Sequence, residues 1–480
     1  MVENLVEIRL ESGDFSCDGV QVHRLSGREA ISQLFSFDLE IVCRDEGGPT
    51  AEAMAGATAS IVFLRGDKEI RKIHGMIAEV DEQLETEVDT RSYRLRLMPR
   101  AFRLTLVETQ EIYLDLSVPE IIRQKLDLVG LSGDDVEMRL LGSYPKLELV
   151  VQYRETDLAF VSRLAEHLGV SFFFEHGGDR DRIVFTDQKS GFSPMPGGEE
   201  ATFRPRGDKI DVYHLEAKTR LIPSQYVMQD YNYRTPHVDL TASHESPAGF
   251  AGGVVEYGAH YKTPEAGKAL ATIRAEEREA TRYVLTGHSD LAQASAGSTM
   301  KIEGHRADLP RLLLVSVEHH AVQPTMVHGG EGERYRNTFR AIDAEQTYRP
   351  PRVTPRPRIC GVVTAVVEQD PEPPPAKYAV LDEDGRYTVR FFFDTTPTGP
   401  RKYSRPIRML QPHAGTDYGM HMPLKPGIEV QVIFVDGDPD RPMIAGAVPN
   451  PETPSPVRQS SSLMNRIKTA SGILIEMKDS

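Results

Sequence analysis

A chain of 480 residues is long enough for two to four domains of about 100–200 residues, each able to bury its own core. Hydrophobic residues make up 39% and charged residues 26% of the chain, which excludes global disorder. The net charge of −15 argues against a nucleic-acid binder, because phosphate contacts require clustered Lys and Arg. We attribute the acidity to solubility.

The cysteines and the N-terminus indicate the compartment. Cys17, Cys43 and Cys360 are too few and too scattered for a disulfide framework or a cysteine zinc site, so we expect buried, reduced thiols. The first residues carry charges and lack the apolar core of a secretory signal peptide. No apolar run approaches the roughly 20 residues that span a bilayer. We therefore expect assembly in the cytoplasm and no Sec-type export.

The first part of the chain reads as strands interrupted by helices. Alternating or aromatic runs at 91–100 and 170–176 predict strands. Ser117 and Glu120 have the spacing of a capping box, which predicts a helix from there to Gly130.

Two longer helices follow. Residues 155–169 carry an apolar stripe at helical spacing, with Gly169 where a C-cap glycine is expected. Thr263 and Pro264 predict the start of the other helix, as an N-cap followed by proline at the first helical position. Its distal half, 274–282, is mostly charged, and we expect it to be solvated.

A proline-rich connector and a compact β region come next. Residues 346–357 include four prolines within ten positions and predict a semi-rigid linker. About five short strands are expected in 358–450, which suits a small barrel of the oligonucleotide/oligosaccharide-binding (OB) class, with DPEPPPA (370–376) as a loop. Two alternating stripes are expected to face its core: Tyr387, Val389, Phe391 and Phe393, and Ile428, Val430, Val432 and Phe434.

The tail is expected to hold a single strand. After a Pro/Ser-rich stretch, Ile473, Ile475 and Met477 alternate on one face. A lone strand cannot bury such a face, so it requires another chain or more sequence.

The heptapeptide DGDPDRP at 436–442 raises the question of an ion site. A calcium loop of the EF-hand type requires glycine at its sixth position and glutamate at its twelfth, but these positions hold Arg441 and Ala447. Gly437 supplies positive φ, and Pro439 suits the first central position of a turn. We therefore interpret the segment as a turn between two strands.

The other candidates for chemistry are weak. His413 and His421, and the adjacent His319 and His320, lack a tight metal-ligand spacing, so surface or packing histidines are expected. The sequence has no G-x-S-x-G elbow, and only about 20 residues separate the barrel from the tail strand, too few for an inserted hydrolase domain with paired carboxylates. We nominate no catalytic, cofactor-binding or metal-binding residue, and we predict a protein that is not an enzyme.

Several long motifs occur in a fixed order. They are QYRETDLAFVSRLAEHLGVSFFFEH (152–176), DYNYRTP (230–236), YKTPEAGKALATIRAEE (261–277), the junction 335–367, and the barrel and tail stretches 382–394, 411–450 and 469–479. Together they resemble the VgrG family, the spike proteins of type VI secretion systems, related to the hub and spike of contractile phage tails. Phe393 and His413 stand where the family usually has tryptophan, so the chain resembles a divergent member with a truncated needle.

The resemblance implies a mainly β fold with a few helices. Residues 1–345 would form a hub domain with two related β-barrels and 358–450 the OB-fold barrel, joined by the 346–357 linker. Residues 451–480 would be a linker and the first strand of a trimeric β-helix needle.

The resemblance also implies a homotrimer seated on a hexameric Hcp-type tube, with baseplate components, a tip protein and effectors as partners. Ile473, Ile475 and Met477 would form the trimer seam. Gly385, Gly419, Gly427, Gly437 and Pro439 are the turn residues of structural importance.

Three functions compete. The first is a non-enzymatic spike that punctures a target membrane, touches it through the needle only, and is exported by its machine. The second is a peptidoglycan- or carbohydrate-acting enzyme, which would show turnover that depends on an acidic pair. The third is an OB-type nucleic-acid-binding module, which would show salt-dependent DNA binding. The motifs favour the first, without nucleic acid or cofactor.

Overall fold

The computed structural model describes residues 6–44, 46–84, 89–205, 210–329, 333, 335–368, 378–395 and 403–479. The predicted DPEPPPA loop lies outside these residues. The chain forms two compact units. Unit 1 comprises Met1–Val107, Val118–Tyr144 and Thr156–Pro355, and unit 2 comprises Glu108–Ser117, Pro145–Glu155 and Arg356–Ser480.

The described residues are mainly β, as predicted. The strands are β1 (Val6–Glu11), β2 (Gln21–Ala30), β3 (Ser36–Arg44), β4 (Thr58–Arg65), β5 (Lys68–Gln83), β6 (Thr90–Met98), β7 (Glu108–Tyr113), β8 (Val136–Arg139), β9 (Val150–Thr156), β10 (Ser171–Glu175), β11 (Arg182–Thr186), β12 (Ser193–Pro194), β13 (Glu200–Thr202), β14 (Val212–Thr219), β15 (Gln225–Gln229), β16 (Ala242–Glu245), β17 (Gly253–Tyr257), β18 (Tyr283–Ser289), β19 (Ser298–Glu303), β20 (Leu312–Val322), β21 (Arg336–Asp343), β22 (Val363–Val367), β23 (Val389–Phe391), β24 (Ala414–Gly415), β25 (Tyr418–Gly419), β26 (Glu429–Phe434), β27 (Pro442–Ala447), β28 (Met464–Lys468) and β29 (Leu474–Lys478). The α-helices are α1 (Ala51–Met54), α2 (Val118–Leu128), α3 (Asp157–His167) and α4 (Pro264–Glu279).

The first six strands of unit 1 form a curled sheet that we call barrel 1. They pair in the order β1-β4-β5-β6-β3-β2. Gln323 joins the two ends of this order: its Oε1 accepts from the Ile8 amide at 2.7 Å, and its Nε2 donates to the carbonyls of Ile8 (3.0 Å) and Val22 (2.9 Å). The side chain thus substitutes for the missing ladder between β1 and β2.

Six later strands form barrel 2. They pair in the order β13-β19-β20-β21-β18-β14, and a bridge between Phe203 and Val212 connects β13 back to β14. Taken in chain order, the six strands of each barrel have the same neighbours, although β13 runs parallel to β19 whereas β1 runs antiparallel to β4. The ladder between β2 and β20 joins both barrels into one 13-stranded sheet.

The predicted helix starts are confirmed, because the capping groups act locally. Thr156 caps α3 by accepting from the Ala159 amide, and Thr263 caps α4 in the same way with Pro264 at its first position. Gly169 follows α3 with φ +67°, a left-handed conformation suited to glycine.

The expectation that 274–282 is solvated is wrong. Arg274, Ala275 and Glu277 are all buried. Their charges have partners inside unit 1: Arg274 donates to the carbonyl of His167 at 3.0 Å, and Arg352 lies 3.5 Å from Glu277. The many charged residues of this segment led to the prediction of exposure, because the sequence does not show which distant residues will form ion pairs with them.

The proline-rich segment packs against unit 1 as far as Pro355. Arg349 donates to the carbonyls of Gly169 (3.1 Å) and Asp187 (2.9 Å) and to Glu276 (2.7 Å). The carboxylate of Glu166 accepts from the backbone amides of Val353 and Thr354. This stretch is therefore bound along its length to unit 1.

Unit 2 contains a four-stranded sheet in the order β23-β22-β26-β27. Its core holds both predicted stripes: Tyr387, Val389, Val430 and Val432 have no exposed surface, so this part of the prediction is confirmed. The core also includes Ile112 of β7 and residues of β9, which the predicted domain division had placed before residue 345. The sequence did not show that β7 and β9 belong to this core, because more than 200 residues separate them from the strands of the sheet.

The expectation of a single tail strand is wrong. Strands β28 and β29 form an antiparallel hairpin. The uniform expectation for the cysteines is also wrong, because Cys43 is buried but Cys17 is half-buried and Cys360 is exposed. No described helix is both long and apolar enough to cross a bilayer.

Candidate functional site

The C-terminal hairpin carries one apolar face. Ile467 lies opposite Ile475 and Asn465 opposite Met477, so these side chains share one side. Ile475 is 55% and Met477 60% exposed, and Ile473, at the turn end of β29, is 67% exposed. The other side holds an ion pair between Arg466 and Glu476. A two-stranded hairpin gains little stability alone, so this apolar face requires a second surface.

The DGDPDRP segment is a compact connection between β26 and β27. Asp436 and Gly437 adopt positive φ of 56° and 72°. A β-turn then follows, in which the Arg441 amide donates to the Asp438 carbonyl at 2.9 Å and Pro439 is the first central residue. Two of the aspartates in this connection also form contacts with distant residues of unit 2.

Two of these aspartates bind other parts of unit 2. Arg356 lies 2.8 Å from Asp438 Oδ1 and 2.9 Å from Asp440 Oδ2, and Asp440 Oδ1 accepts from the Val151 amide at 2.7 Å. Burial, and then the neighbouring Asp440 carboxylate, raise the pKa of Asp438 to about 6 despite Arg356. Sequence reasoning missed these partners, although the cluster of arginines at 349–358 offered a source of counter-charge.

The turn glycines occupy distinct settings in unit 2. Gly385 and Gly427 have φ of 71° and 83° with open space where a Cβ would lie. Gly419 is different: a Cβ there would lie 2.5 Å from the carbonyl oxygen of His413, so only glycine fits without a shift.

The four histidines that were considered as metal ligands in the sequence have packing contacts instead. The imidazole of His421 lies 3.0 Å from the Tyr387 hydroxyl, and His413 lies against Tyr418 with ring centroids 5.4 Å apart. His319 is 2% exposed, whereas its neighbour His320 is half-buried and 3.1 Å from Glu333.

His319 belongs to a buried polar network between barrels 1 and 2. Its Nε2 lies 2.8 Å from Glu29 Oε1 and its Nδ1 2.6 Å from the Tyr335 hydroxyl. Arg71 donates to the same Glu29 oxygen at 2.7 Å and to the carbonyls of Ala292 and Ala294. The network was not predicted, because its two halves are far apart in the chain: Glu29 and His319 are separated by 290 positions.

The charges of the network depend on one another. Burial alone would raise the pKa of Glu29, but the charge of Arg71 and the hydrogen bond with His319 lower it to about 2. Burial lowers the pKa of His319 despite Glu29, and burial followed by the charge of Arg71 lowers that of His176 to about 3. The Glu29 carboxylate is therefore ionised, and the imidazoles of His319 and His176 are neutral. The ionised carboxylate can then accept hydrogen bonds from both Arg71 and His319, which stabilises the pairing of β2 with β20.

The aromatic stripe of the small barrel has a structural role. Tyr387 and Phe391 are fully buried and Phe393 packs against the same core, so their faces are not available for stacking on bases. A paired-barrel β unit, a small OB-class barrel and an apolar C-terminal hairpin together define a modular, mainly β assembly protein.

Comparisons with known proteins agree with this class. Residues 28–325 match the family described as phage tail baseplate hub (GPD), and 378–448 match the type VI secretion system/phage-baseplate injector OB domain. The first match covers more than half of the chain, and the chain belongs to the phage tail baseplate hub family. The second match confirms the predicted OB-class barrel.

Named relatives extend the comparison. The type VI secretion system spike protein VgrG4b of Pseudomonas aeruginosa is 30% identical over 95% of this chain and 59% of its own length. The actin cross-linking toxin VgrG1 of Vibrio cholerae is 26% identical over 86% of this chain and 38% of its own length. The chain therefore spans about three fifths or less of these two relatives.

A solved structure resembles most of the chain. A component of the type VI secretion system of E. coli, described as structurally similar to the bacteriophage T4 tail proteins gp27 and gp5, is 25% identical with a TM-score of 0.67. The similarity covers 92% of this chain and 100% of that one. This result confirms the predicted hub-and-spike fold.

Proposed function

We propose that this protein is the hub-and-spike subunit of a contractile injection machine of the type VI secretion kind, and that three copies assemble. The exposed apolar face of the β28–β29 hairpin, with Ile467, Ile473, Ile475 and Met477, carries the proposal, because such a face on a marginal hairpin needs partner strands. The family and the named spike relatives support this assignment.

The role is mechanical. Strands contributed by several copies share their backbone hydrogen bonds, so no strand can detach alone when the tip meets a membrane. Unit 1 supplies the hub, and unit 2 supplies the base of the spike. We propose a hexameric tube protein, baseplate components and effectors or a tip protein as partners, and export by the machine itself. Catalysis is not part of this role.

The mass of the assembly tests the proposal. Light scattering should give three times the chain mass of 53.6 kDa for the unmodified protein. Ile475→Asp places a charge in the apolar face and should weaken association of the tail, measured as loss of protection of β28–β29 from hydrogen exchange. Leu474→Asp is the matched control, because Leu474 lies on the opposite side of the same strand.

Two outcomes would contradict the proposal. One is a monomer at all accessible concentrations. The other is equal hydrogen-exchange protection of the hairpin in the Ile475→Asp and Leu474→Asp variants, which would show that the apolar face is not a seam.

A further inference from the structure

Two histidines on the solvent-facing side of barrel 2 form a cross-strand pair. His214 of β14 lies directly opposite His288 of β18 in their antiparallel ladder. Their ring centroids are 5.0 Å apart, and their ring planes are inclined by 37°. The sequence analysis did not consider these two histidines, because only the pairing of the strands brings them together.

Local packing fixes the direction of both side chains. The next residues in the ladder are Leu215 and Gly287, and Leu215 packs against the core of barrel 2. Gly287 leaves room for this packing, because a Cβ there would lie 2.3 Å from the Phe339 ring and 2.9 Å from Leu215. Successive side chains of a strand point to opposite faces, so His214 and His288 point away from the core.

Both rings have nitrogen atoms that are available to a ligand. His214 is exposed and His288 is half-buried. Within the described residues, the ring nitrogens of His214 and Nε2 of His288 have no hydrogen-bond or ion-pair partner. Nδ1 of His288 lies 3.0 Å from the Thr338 hydroxyl, and a hydroxyl that accepts from Nδ1–H leaves the Nε2 lone pair free. A hydrogen bond of this kind commonly orients a histidine that binds a metal ion.

The distance between the two rings suits a shared ion. Zinc binds imidazole nitrogen at about 2.0–2.1 Å in tetrahedral sites, so two imidazoles on one ion have centroids about 5 Å apart. The His214–His288 pair matches this value. The pair formed by His23 and His328 differs, because its centroids are 4.0 Å apart and its planes are inclined by only 14°, which is the geometry of stacked rings.

A carboxylate projects from the same face of β14. Glu216 follows His214 by two residues, so both side chains lie on one side of the strand. Glu216 is exposed, and within the described residues it has no ion-pair partner. Rotation of this side chain would bring its carboxylate to the histidine pair. Two imidazoles, one carboxylate and a water molecule make a four-coordinate zinc site.

We propose that His214, His288 and Glu216 bind a zinc ion on the solvent-facing side of barrel 2. Imidazole ligands favour zinc over magnesium and calcium, which prefer oxygen ligands. The ion links β14 to β18. Apart from the bridge between Val212 and Phe203, β14 pairs with no other strand in the part of the chain that the structure describes. A metal link would therefore hold an edge strand in its sheet.

Zinc titration tests the site. The untagged full chain in a Cys360→Ser background, which removes an exposed thiol, should bind one zinc ion per chain at pH 7.5, measured by calorimetry. His214→Ala and His288→Ala should each abolish this binding step, because each removes a nitrogen ligand. Glu216→Gln should weaken the step, because an amide is a poorer zinc ligand than a carboxylate.

Three further variants identify the ligands. Thr338→Val removes the hydroxyl beside Nδ1 of His288 and should lower the zinc affinity about 10–100-fold. Thr286→His places an additional imidazole opposite Glu216 and should raise the affinity. His320→Ala is the matched control, because His320 is another half-buried histidine of barrel 2, and it should leave the affinity unchanged.

Hydrogen exchange locates the ion within the fold. Zinc should slow amide exchange in β14 (Val212–Thr219) of the unmodified chain, because the ion holds this strand to β18. The same addition should have no effect on β14 in the His214→Ala variant. Excess magnesium should not reproduce the protection. Because His214 is exposed, its replacement should leave the fold intact, and exchange of β18 and β21 without zinc checks this.

Three results would overturn the site. The first is the absence of zinc binding by the unmodified chain. The second is equal zinc affinity in the unmodified chain and the His214→Ala and His288→Ala variants. The third is loss of binding in the His320→Ala variant with none in the His214→Ala variant. The number of copies in the assembly and its role as a spike are independent of all three.

Discussion

Glu29 Oε1 lies 2.8 Å from Nε2 of His319, and this buried contact joins β2 to β20, the two strands at which the barrels meet. We expect Glu29→Gln to destabilise unit 1 by about 3–5 kcal/mol, because it leaves the Arg71 guanidinium without a buried counter-charge. Denaturant unfolding measures the loss. Glu318→Gln, an exposed change on the same strand as His319, should stay within about 0.5 kcal/mol. Equal effects of the two variants would contradict a role for the network.

Acid should weaken unit 1. The pKa of His176 is lowered by burial, and next by the charge of Arg71, to about 3, so the unfolded chain binds a proton that the folded chain does not as the pH falls below 6.5. Stability should decline between pH 6.5 and 3 by about 1.4 kcal/mol per pH unit for this group. His176→Gln should reduce the slope of stability against pH, measured by denaturant midpoints at several pH values. His237→Gln, at an exposed position, should leave the slope unchanged; a slope that His176→Gln does not alter would count against this account.

Unit 2 should respond to pH in the opposite direction through Asp438. Its folded pKa of about 6 exceeds the usual 3.8, because of burial and then Asp440, so the folded state binds the extra proton. The stabilisation is present at low pH and is lost as the pH rises through 6. Asp438→Asn should therefore stabilise β26 and β27 at pH 8, by on the order of 1–2 kcal/mol, with a smaller gain at pH 5. Amide exchange of these strands measures this effect, with the exposed Asp436→Asn as control. A larger gain at pH 5 than at pH 8 would refute the sign.

Local patterns in the sequence predicted the elements that local chemistry determines. The cap at Thr263, the glycine that follows α3 at position 169 and the alternation through Val430 and Val432 depend on residues a few positions apart, and these predictions are confirmed. The buried ion pairs depend on distant residues: Glu29 and His319 are 290 positions apart. For the same reason, the charged half of α4 looked like a solvated surface.

The repeat of barrels 1 and 2 was expected only from the family resemblance, because the residues themselves show no repeated pattern. It is preserved in hydrogen-bond register and bulge position, whereas side chains at aligned positions differ. Glu29 and Thr219, for example, each lie six residues after the bulge of their strand, at His23 in β2 and at Tyr213 in β14. The backbone hydrogen bonds of a β-ladder tolerate such differences, because the side chain preferred at a strand position depends on its burial and its neighbours. The aligned bulges at Ala78 and Val315 become visible only once the pairing partners are known.

Gly437 should be sensitive to substitution because of its backbone. Its φ of 72° lies in the left-handed region, so Gly437→Ala should cost about 1 kcal/mol. Gly446→Ala on the adjacent strand is the matched control, because a Cβ there meets open space without a positive φ, and it should be nearly neutral. Thermal unfolding of unit 2 compares the two variants. A larger loss for the Gly446 variant would contradict the explanation by backbone strain.

Glu166 should keep the proline-rich segment bound to unit 1. Its Oε2 accepts from the amides of Val353 (3.1 Å) and Thr354 (3.0 Å), and its Oε1 accepts from the Thr354 hydroxyl at 2.7 Å. Glu166→Ala removes all three hydrogen bonds. Hydrogen bonds to a charged group contribute about 1.5–3 kcal/mol each, so local release of the segment should become at least about tenfold more frequent. Limited trypsin digestion measures this as faster cleavage after Arg352, with the exposed Glu265→Ala as control. Unchanged cleavage in the Glu166 variant would show that the packing of Tyr348 and the contacts of Arg349 hold the segment without the carboxylate.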